Sequence, residues 1–207
     1  METGRRERKK QQTRQAISDV ATALFLERGF DAVTVADVAR AADVAVQTVF
    51  NHFPAKEDLF FDEPGWWQGP ARAVREAPAD ADPVEALEAH YLTETRERLA
   101  VGHMATWKQF NRTIEGSPAL QARRRLNAAQ LETLLTEALN ERTPDRLRNR
   151  MIAAQYAAAQ KVLEEELIRV LPDEPSAAEL ARSQRELEHA VAEVFGMLRN
   201  GLAVTTT

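Results

Sequence analysis

Four polar side chains within one short stretch have the types and spacing to bind a partner: Gln47, Thr48, Asn51 and His52. They are mostly uncharged, and each can both donate and accept a hydrogen bond. These are the groups needed to meet base edges and phosphate oxygens. The spacing predicts that all four lie on the outer face of one helix, and that its inner face carries Val46, Val49, Phe50 and Phe53.

This helix, from about Ala45 to His52, is expected to be the second of a pair. The first would run from about Val35 to Ala42, with Thr34 as its N-cap because the hydroxyl can accept from the first free N–H groups. Its apolar residues recur at i, i+3, i+4 and i+7, as on one helix face. A capped helix, a tight turn and a second helix with a polar outer face are typical of a helix-turn-helix.

The residues before this pair predict a longer helix from about Gln11 to Arg28, ended by Gly29. Residues 1–10 are expected to be disordered or to become ordered only on DNA. Six basic and two acidic side chains give residues 1–14 a net charge of +4, which leaves −9 on the other 193 residues. Such an arm could be a solvated tail, but before a helix-turn-helix we expect phosphate contacts from Arg5, Arg6, Arg8, Lys9 and Lys10.

The stretch from Val33 to Leu59 resembles the DNA-binding core of the TetR (tetracycline-repressor) family of bacterial transcription regulators. The matching positions and their spacing are Thr34, Val38, Ala39, Val44, Thr48, Phe50, His52, Phe53, Lys56 and Leu59. The resemblance covers about the first quarter of the chain. It implies base or phosphate contacts from Gln47, Thr48, Asn51 and His52, and a clamp on the DNA backbone from Thr34 and Lys56.

Three positions differ from the usual pattern of that family. Asp43 replaces a frequent turn glycine, and Asp tolerates the left-handed conformation better than most residues. Ala45 replaces a serine cap, and Ala is a poor cap. Asp43 is an alternative capping residue, one turn earlier. Phe50, which belongs to the predicted DNA-binding set, replaces a common Tyr and cannot donate to a phosphate. We therefore expect weaker DNA binding or greater dependence on the basic arm.

Composition limits the remaining classes of function. The chain has 207 residues, no cysteine and no apolar run long enough for a transmembrane helix, so we expect a cytoplasmic protein without disulfides and without a membrane partner. No metal-ligand spacing, Gly-rich phosphate loop or nucleophile–base pair is present. We therefore expect no enzyme activity, metal or cofactor.

Beyond Lys56, two prolines and two glycines in residues 62–70 predict a break in the next helix, followed by a short continuation over residues 71–76. Trp66 and Trp67 follow this break as packing anchors or as a pocket wall. From Val84 onward the sequence predicts helices throughout. The predicted fold is all-α with about nine or ten helices: an N-terminal head of residues 1–60, with three helices in its helix-turn-helix unit, and a ligand-binding and dimerisation body of residues 61–207.

Two long helices with broad apolar faces end the chain. Their seams have near-heptad spacing and contain Ile152, Tyr156, Leu163, Leu180, Leu187, Val191, Val194 and Leu198. The alternative is the core of a monomer. Because the TetR family dimerises through two such helices from each subunit, the resemblance implies a homodimer.

Aromatic and sulfur-containing side chains in the body could line an effector cavity: Trp66, Trp67, Tyr91, Met104, Trp107, Phe110, Met151 and Tyr156. Each could equally be core. The leading hypothesis is a dimeric repressor that binds a near-palindromic operator in double-stranded DNA and is released by a small apolar or aromatic effector. The alternatives are an enzyme or carrier with a vestigial head, and a head used for protein–protein contact.

Overall fold

The computed structural model describes residues 2–62, 65–99, 104–171 and 176–200. Over these residues the chain forms ten α-helices and no strand, as the all-α prediction requires. The helices are α1 (Glu2–Arg28), α2 (Val35–Ala41), α3 (Val46–His52), α4 (Lys56–Phe60), α5 (Gly65–Glu76), α6 (Pro83–Leu99), α7 (Met104–Gly116), α8 (Pro118–Arg142), α9 (Arg146–Val170) and α10 (Ala177–Asn200).

Helix α1 begins at Glu2, so the expectation of disorder over residues 1–10 is wrong for residues 2–10. Most of these residues are Glu, Arg and Lys, which lose little rotamer freedom in a helix. Side chains add bonds along the helix, since Arg8 Nε donates to the Gly4 carbonyl at 3.2 Å. The helix ends as predicted at Gly29, whose φ of +83° favours glycine.

The chain divides into two compact units, which we call the head and the body. The head comprises Met1–Pro64 together with Gln109–Arg124, and the body comprises Gly65–Lys108 and Arg125–Thr207. This division differs from the single boundary expected after residue 60, because a segment from the middle of the chain joins the N-terminal unit. Helices α7 and α8 each contribute residues to both units.

The head is built on the inner face of α1, where Ile17, Ala21 and Phe25 are fully buried. Val38 of α2, Val49 of α3 and the buried Phe53 complete this core. Fully burying an aliphatic or phenyl side chain contributes about 1.5–3 kcal/mol each, so these few residues account for much of the stability of a small unit.

The segment 109–124 attaches to the head through polar and aromatic contacts. Phe110 stacks on Phe60 with ring centroids 4.3 Å apart, and Gln109 Nε2 donates to the Leu26 carbonyl at 3.0 Å. Ser117 donates to the Asp31 carboxylate at 2.8 Å, and Arg123 forms an ion pair with Asp58.

The predicted break after Lys56 is present: α4 ends at Phe60 and α5 begins at Gly65. Trp66 and Trp67 lie within the first turn of α5, so the continuation starts six residues earlier than expected. In the body, α5 packs on α6, and Gly69 lies at a close approach between the two helices. A Cβ at Gly69 would lie 2.6 Å from Nε2 of His90.

Helix α10 packs on α6 and α9 to form the centre of the body. Phe195 lies between two tyrosines, with its ring centroid 6.2 Å from that of Tyr91 and 6.1 Å from that of Tyr156. At the end of α8, the Arg142 guanidinium donates to five backbone carbonyls of residues 74–81 and so fixes the α5–α6 connection.

Candidate nucleic-acid interface

Thr34 is the N-cap of α2, as predicted, and forms a complete capping box with Asp37. Thr34 Oγ1 accepts from the Asp37 backbone N–H at 3.1 Å, and Asp37 Oδ2 accepts from the Thr34 N–H at 3.0 Å. Hydrogen bonds from Thr34, with a smaller contribution from Arg40, lower the pKa of Asp37. The Thr34 hydroxyl is therefore already hydrogen-bonded to Asp37 within the protein. Thr34 is nevertheless exposed, and it directly precedes α2, the helix before α3.

The turn between α2 and α3 has the predicted geometry. Asp43 adopts a φ of +53°, the left-handed conformation usually given to glycine. The N–H of Val44 then donates to the Ala39 carbonyl at 3.0 Å, which closes the turn. Ala45 is the N-cap of α3 and supplies no side-chain bond. The first turn of α3 thus leaves N–H groups open to another acceptor.

The outer face of α3 differs from the prediction. Val49 is fully buried, but Val46 is 40% exposed and Phe50 is 42% exposed, so the expectation that both point inward is wrong. Successive residues of a helix are rotated by about 100°, so Val46 and Phe50 lie about 60° and 100° around the helix from the buried Val49. We call the exposed side chains Val46, Gln47, Phe50 and Asn51 the recognition face.

Polar members of this face are held in place. Gln47 Nε2 donates to Asn51 Oδ1 at 3.1 Å, which links residues one turn apart. Thr48 and His52, the other two predicted contact residues, are half-buried at the edge of the face. All four predicted polar residues therefore lie on α3 with some exposure.

The carboxyl end of α3 is anchored by Arg14, which the sequence reasoning counted only as part of a charged arm. Its guanidinium donates to the His52 carbonyl at 2.6 Å and forms an ion pair with Asp62. It also lies 4.1 Å from the centroid of the Phe53 ring. No local pattern in the sequence signals this role, because all three partners are distant in the chain.

Lys56 is placed differently from a free phosphate clamp. Its Nζ donates to the Phe30 carbonyl at 2.6 Å and lies 4.0 Å from the centroid of the Phe30 ring. Burial lowers the pKa of Lys56, opposed by the charges of Asp31 and Glu57. An ammonium has three donors, so two remain for another acceptor.

The basic arm forms the first turns of α1. Arg6, Arg8, Lys9 and Lys10 have exposed side chains, and Arg5 lies in the same helical segment. A helix spreads successive side chains around its axis, so these cations do not form a single stripe.

The predicted effector residues do not form one cluster. Trp67, Tyr91 and Tyr156 are buried in the body and Trp107 is half-buried there. Phe110 instead packs in the head, and Met151 is exposed on α9. The side chains of Trp66 and Met104 lie outside the described residues.

The predicted dimer residues are mostly inside the protomer. Five of them are buried within the body: Ile152, Tyr156, Leu163, Leu187 and Val191. Leu180, Val194 and Leu198 are half-buried. Among the described residues, the large exposed apolar side chains of the last two helices are instead Leu147, Met151, Val162 and Met197.

In the part of the chain that the structure describes, no helix is long and apolar enough to cross a membrane, and no three His, Cys, Asp or Glu side chains are grouped so that they could hold a metal ion.

Comparison with known proteins supports a regulatory role for this head. Residues 17–62 match the family model of bacterial regulatory proteins of the tetR family. The transcriptional regulator TcmR of Streptomyces glaucescens is 28% identical over 183 residues, which cover 79% of this chain and 76% of TcmR. The regulator AcrR of Shigella flexneri is 32% identical over 127 residues, covering 50% of this chain and 58% of AcrR.

Solved structures share the fold. A TetR-family regulator from Streptomyces coelicolor has a TM-score of 0.57 at 21% identity, with 91% of this chain and 95% of that chain covered. NalD of Pseudomonas aeruginosa, the secondary repressor of the MexAB-OprM multidrug efflux pump, has a TM-score of 0.55 at 21% identity, with 90% and 96% covered. The helix-turn-helix geometry and the match over residues 17–62 show that the head is similar to the DNA-binding domain of TetR-family transcriptional regulators, and the solved structures show that the chain shares their fold.

Proposed function

We propose that this protein is a homodimeric, cytoplasmic repressor that binds a near-palindromic operator and leaves it when the body binds a small apolar or aromatic effector. The observation that carries the proposal is the recognition face of α3. This face is exposed and partly polar, and Arg14 fixes the carboxyl end of its helix. A rigid helix face with donors and acceptors is what direct reading of base edges requires.

The need for a dimer follows from the small size of this face. One seven-residue helix offers only a few base contacts, worth about 1–3 kcal/mol each. Two copies held about 34–36 Å apart read two half-sites on one side of the duplex. A two-fold symmetric protein therefore favours a near-palindromic operator.

The exposed side of α9 supports a homodimer, because it offers an apolar surface that a second copy of this chain could cover. Leu147, Met151, Ala154, Ala158 and Val162 are all exposed, and their spacing of 4, 3, 4 and 4 places them on one helical stripe. A continuous apolar stripe is costly to leave in water. We propose that this stripe, with Met197 of α10, forms the dimer interface in place of the buried seam that the sequence favoured.

The buried aromatic residues of the body support the proposal that the effector is apolar or aromatic. Trp67 of α5, Tyr91 of α6 and Tyr156 of α9 are buried aromatic residues on three helices of the body. An effector that prefers one conformer of the body shifts the population toward it. Helices α7 and α8 each contribute residues to both units, so we infer that effector binding in the body acts on the head through these two helices.

A gel-shift experiment tests the proposal. The full-length protein is titrated onto the DNA directly upstream of its own gene, and onto a shuffled duplex of equal composition. Preferential binding that falls steeply with salt is expected, because each phosphate contact releases counterions. Absence of preference for the upstream DNA at low salt would contradict a specific regulator and favour a head that contacts protein.

The effector is sought by thermal shift over small apolar and aromatic compounds, since a ligand of the native state raises its apparent stability. Compounds that stabilise the protein are then added to the gel shift. Release of the DNA is expected for a repressor of this kind. Stabilising compounds that leave DNA binding unchanged would contradict effector control.

A further inference from the structure

The recognition face consists of two adjacent pairs of side chains with different chemistry. Val46 and Phe50 are one turn apart and form an apolar pair, while Gln47 and Asn51 form an amide pair. At about 100° per residue, the two pairs are neighbouring stripes on the helix. The sequence of α3, VQTVFNH, contains no Arg and no Lys.

The amide pair retains one acceptor and several donors after its internal bond is made. Gln47 Nε2 uses one N–H on Asn51 Oδ1, which leaves Gln47 Oε1 as an acceptor and the Asn51 amide as a donor. The same complement remains if both amide groups are turned over. In the major groove adenine presents an N6–H donor and the N7 acceptor, which match this set. Guanine presents two acceptors, for which Arg or Lys is the usual partner.

The apolar pair lies on the exposed face of the head, whereas Val49 and Phe53 are buried in its core. Two neighbouring apolar side chains on one exposed helix face offer a contact surface for an apolar group of a partner. Thymine offers one in the major groove, where its C5 methyl group lies on the same A·T pair as the adenine edge.

We propose that α3 reads A·T base pairs through both pairs at once: Gln47 and Asn51 meet adenine, and Phe50 with Val46 covers a thymine methyl group. The inference rests on the sequence-specific DNA binding proposed above. It identifies Phe50 as a specificity-determining residue that acts by apolar contact, where the sequence suggested only a lost phosphate bond.

The test removes single methyl groups from the DNA. A high-affinity duplex is selected from a random pool with the full-length protein, and each thymine is replaced in turn by uracil, which lacks only the methyl. At one thymine or more in each half-site, binding is expected to weaken about 4-fold, the effect of losing one buried methyl-sized group. The Phe50→Ala variant should bind the thymine and uracil duplexes equally.

Two controls separate this effect from a general loss of affinity. Lys10→Met removes a proposed phosphate contact on exposed α1, so it should weaken binding to both duplexes alike and keep the full thymine preference. Replacing adenine by 7-deaza-adenine removes the N7 acceptor and should weaken the wild type but not Asn51→Ala. Circular dichroism confirms that each variant is folded, which is expected because Phe50 and Asn51 are exposed.

The possible failures are distinct. If the pool yields no preferred sequence, the proposed operator binding fails and this inference falls with it. If a sequence is selected but every thymine tolerates uracil, or if its half-sites contain only G·C pairs at the contacted positions, DNA binding stands and the A·T reading is wrong.

Discussion

Some of the predicted DNA-contact residues of the head already make hydrogen bonds within the protein, and they retain further donors or acceptors for another partner. Lys56 is the clearest case, because its ammonium bonds the Phe30 carbonyl and lies over the Phe30 ring. The Thr34 hydroxyl likewise accepts a hydrogen bond from the Asp37 backbone N–H. Any contact that these residues make with phosphate uses groups already positioned by the fold, which reduces the entropy lost on binding.

Lys56→Met is expected to destabilise the protein as well as weaken DNA binding. Methionine keeps the apolar stem but loses a charge-assisted hydrogen bond and a cation–π contact, together about 2–4 kcal/mol. Urea unfolding measures the free energy of unfolding. The matched control is Lys10→Met on the exposed part of α1, which should reduce only DNA affinity. An unchanged unfolding free energy for Lys56→Met would make this lysine a phosphate contact alone.

Among the elements, α2 and α3 are short and depend on their ends. The capping box supports α2, whereas α3 begins without a side-chain cap and is fixed at its other end by Arg14. A seven-residue helix is unstable alone, because nucleation is costly. The position of the recognition face therefore depends on bonds outside α3.

Asp37 makes the stability of α2 dependent on pH. Hydrogen bonds from Thr34 lower the pKa of Asp37 in the folded state, so the contribution is present above the ordinary pKa of aspartate and is lost as pH falls through the folded value. Unfolding free energies measured between about pH 5 and pH 2 should fall more steeply for the wild type than for Asp37→Asn. An equal slope for the wild type and Asp37→Asn would remove Asp37 from this role.

At the scale of the whole molecule, two helices are shared by the two units and one face of the body is left apolar. The sharing of α7 and α8 makes the head discontinuous in sequence, since residues 109–124 complete it. The exposed stripe of α9 then becomes the feature that the proposed dimer must cover.

Met151→Glu is expected to dissociate the dimer. In the proposed dimer the α9 stripe is buried, so a carboxylate there loses its hydration. Two-fold symmetry places one such carboxylate from each copy in the interface. The dissociation constant of the dimer should therefore rise at least about 100-fold. Light scattering after size exclusion measures the mass. Leu126→Glu is the matched control: Leu126 is 63% exposed and Met151 51%, but Leu126 lies on α8. Dimers that survive the Met151 change but not the Leu126 change would place the interface on α8.

The sequence by itself determined the local features of this protein. The capping of α2 by Thr34, the left-handed turn at Asp43, the end of α1 at Gly29 and the break after Phe60 each depend on neighbouring residues, so local patterns predicted them. Periodicity also predicted that Val38, Val49 and Phe53 are core.

Only the tertiary structure decided which side chains face outward and which distant segments meet. Periodicity gave α3 and α9 apolar residues on more sides than one neighbour can cover, so it could not show that Val46, Phe50 and Met151 are exposed while Tyr156 is buried. The bonds of Lys56 to Phe30 and of Ser117 to Asp31 join residues 26 and 86 positions apart. Such contacts depend on how whole helices pack, which spacing along the chain does not specify.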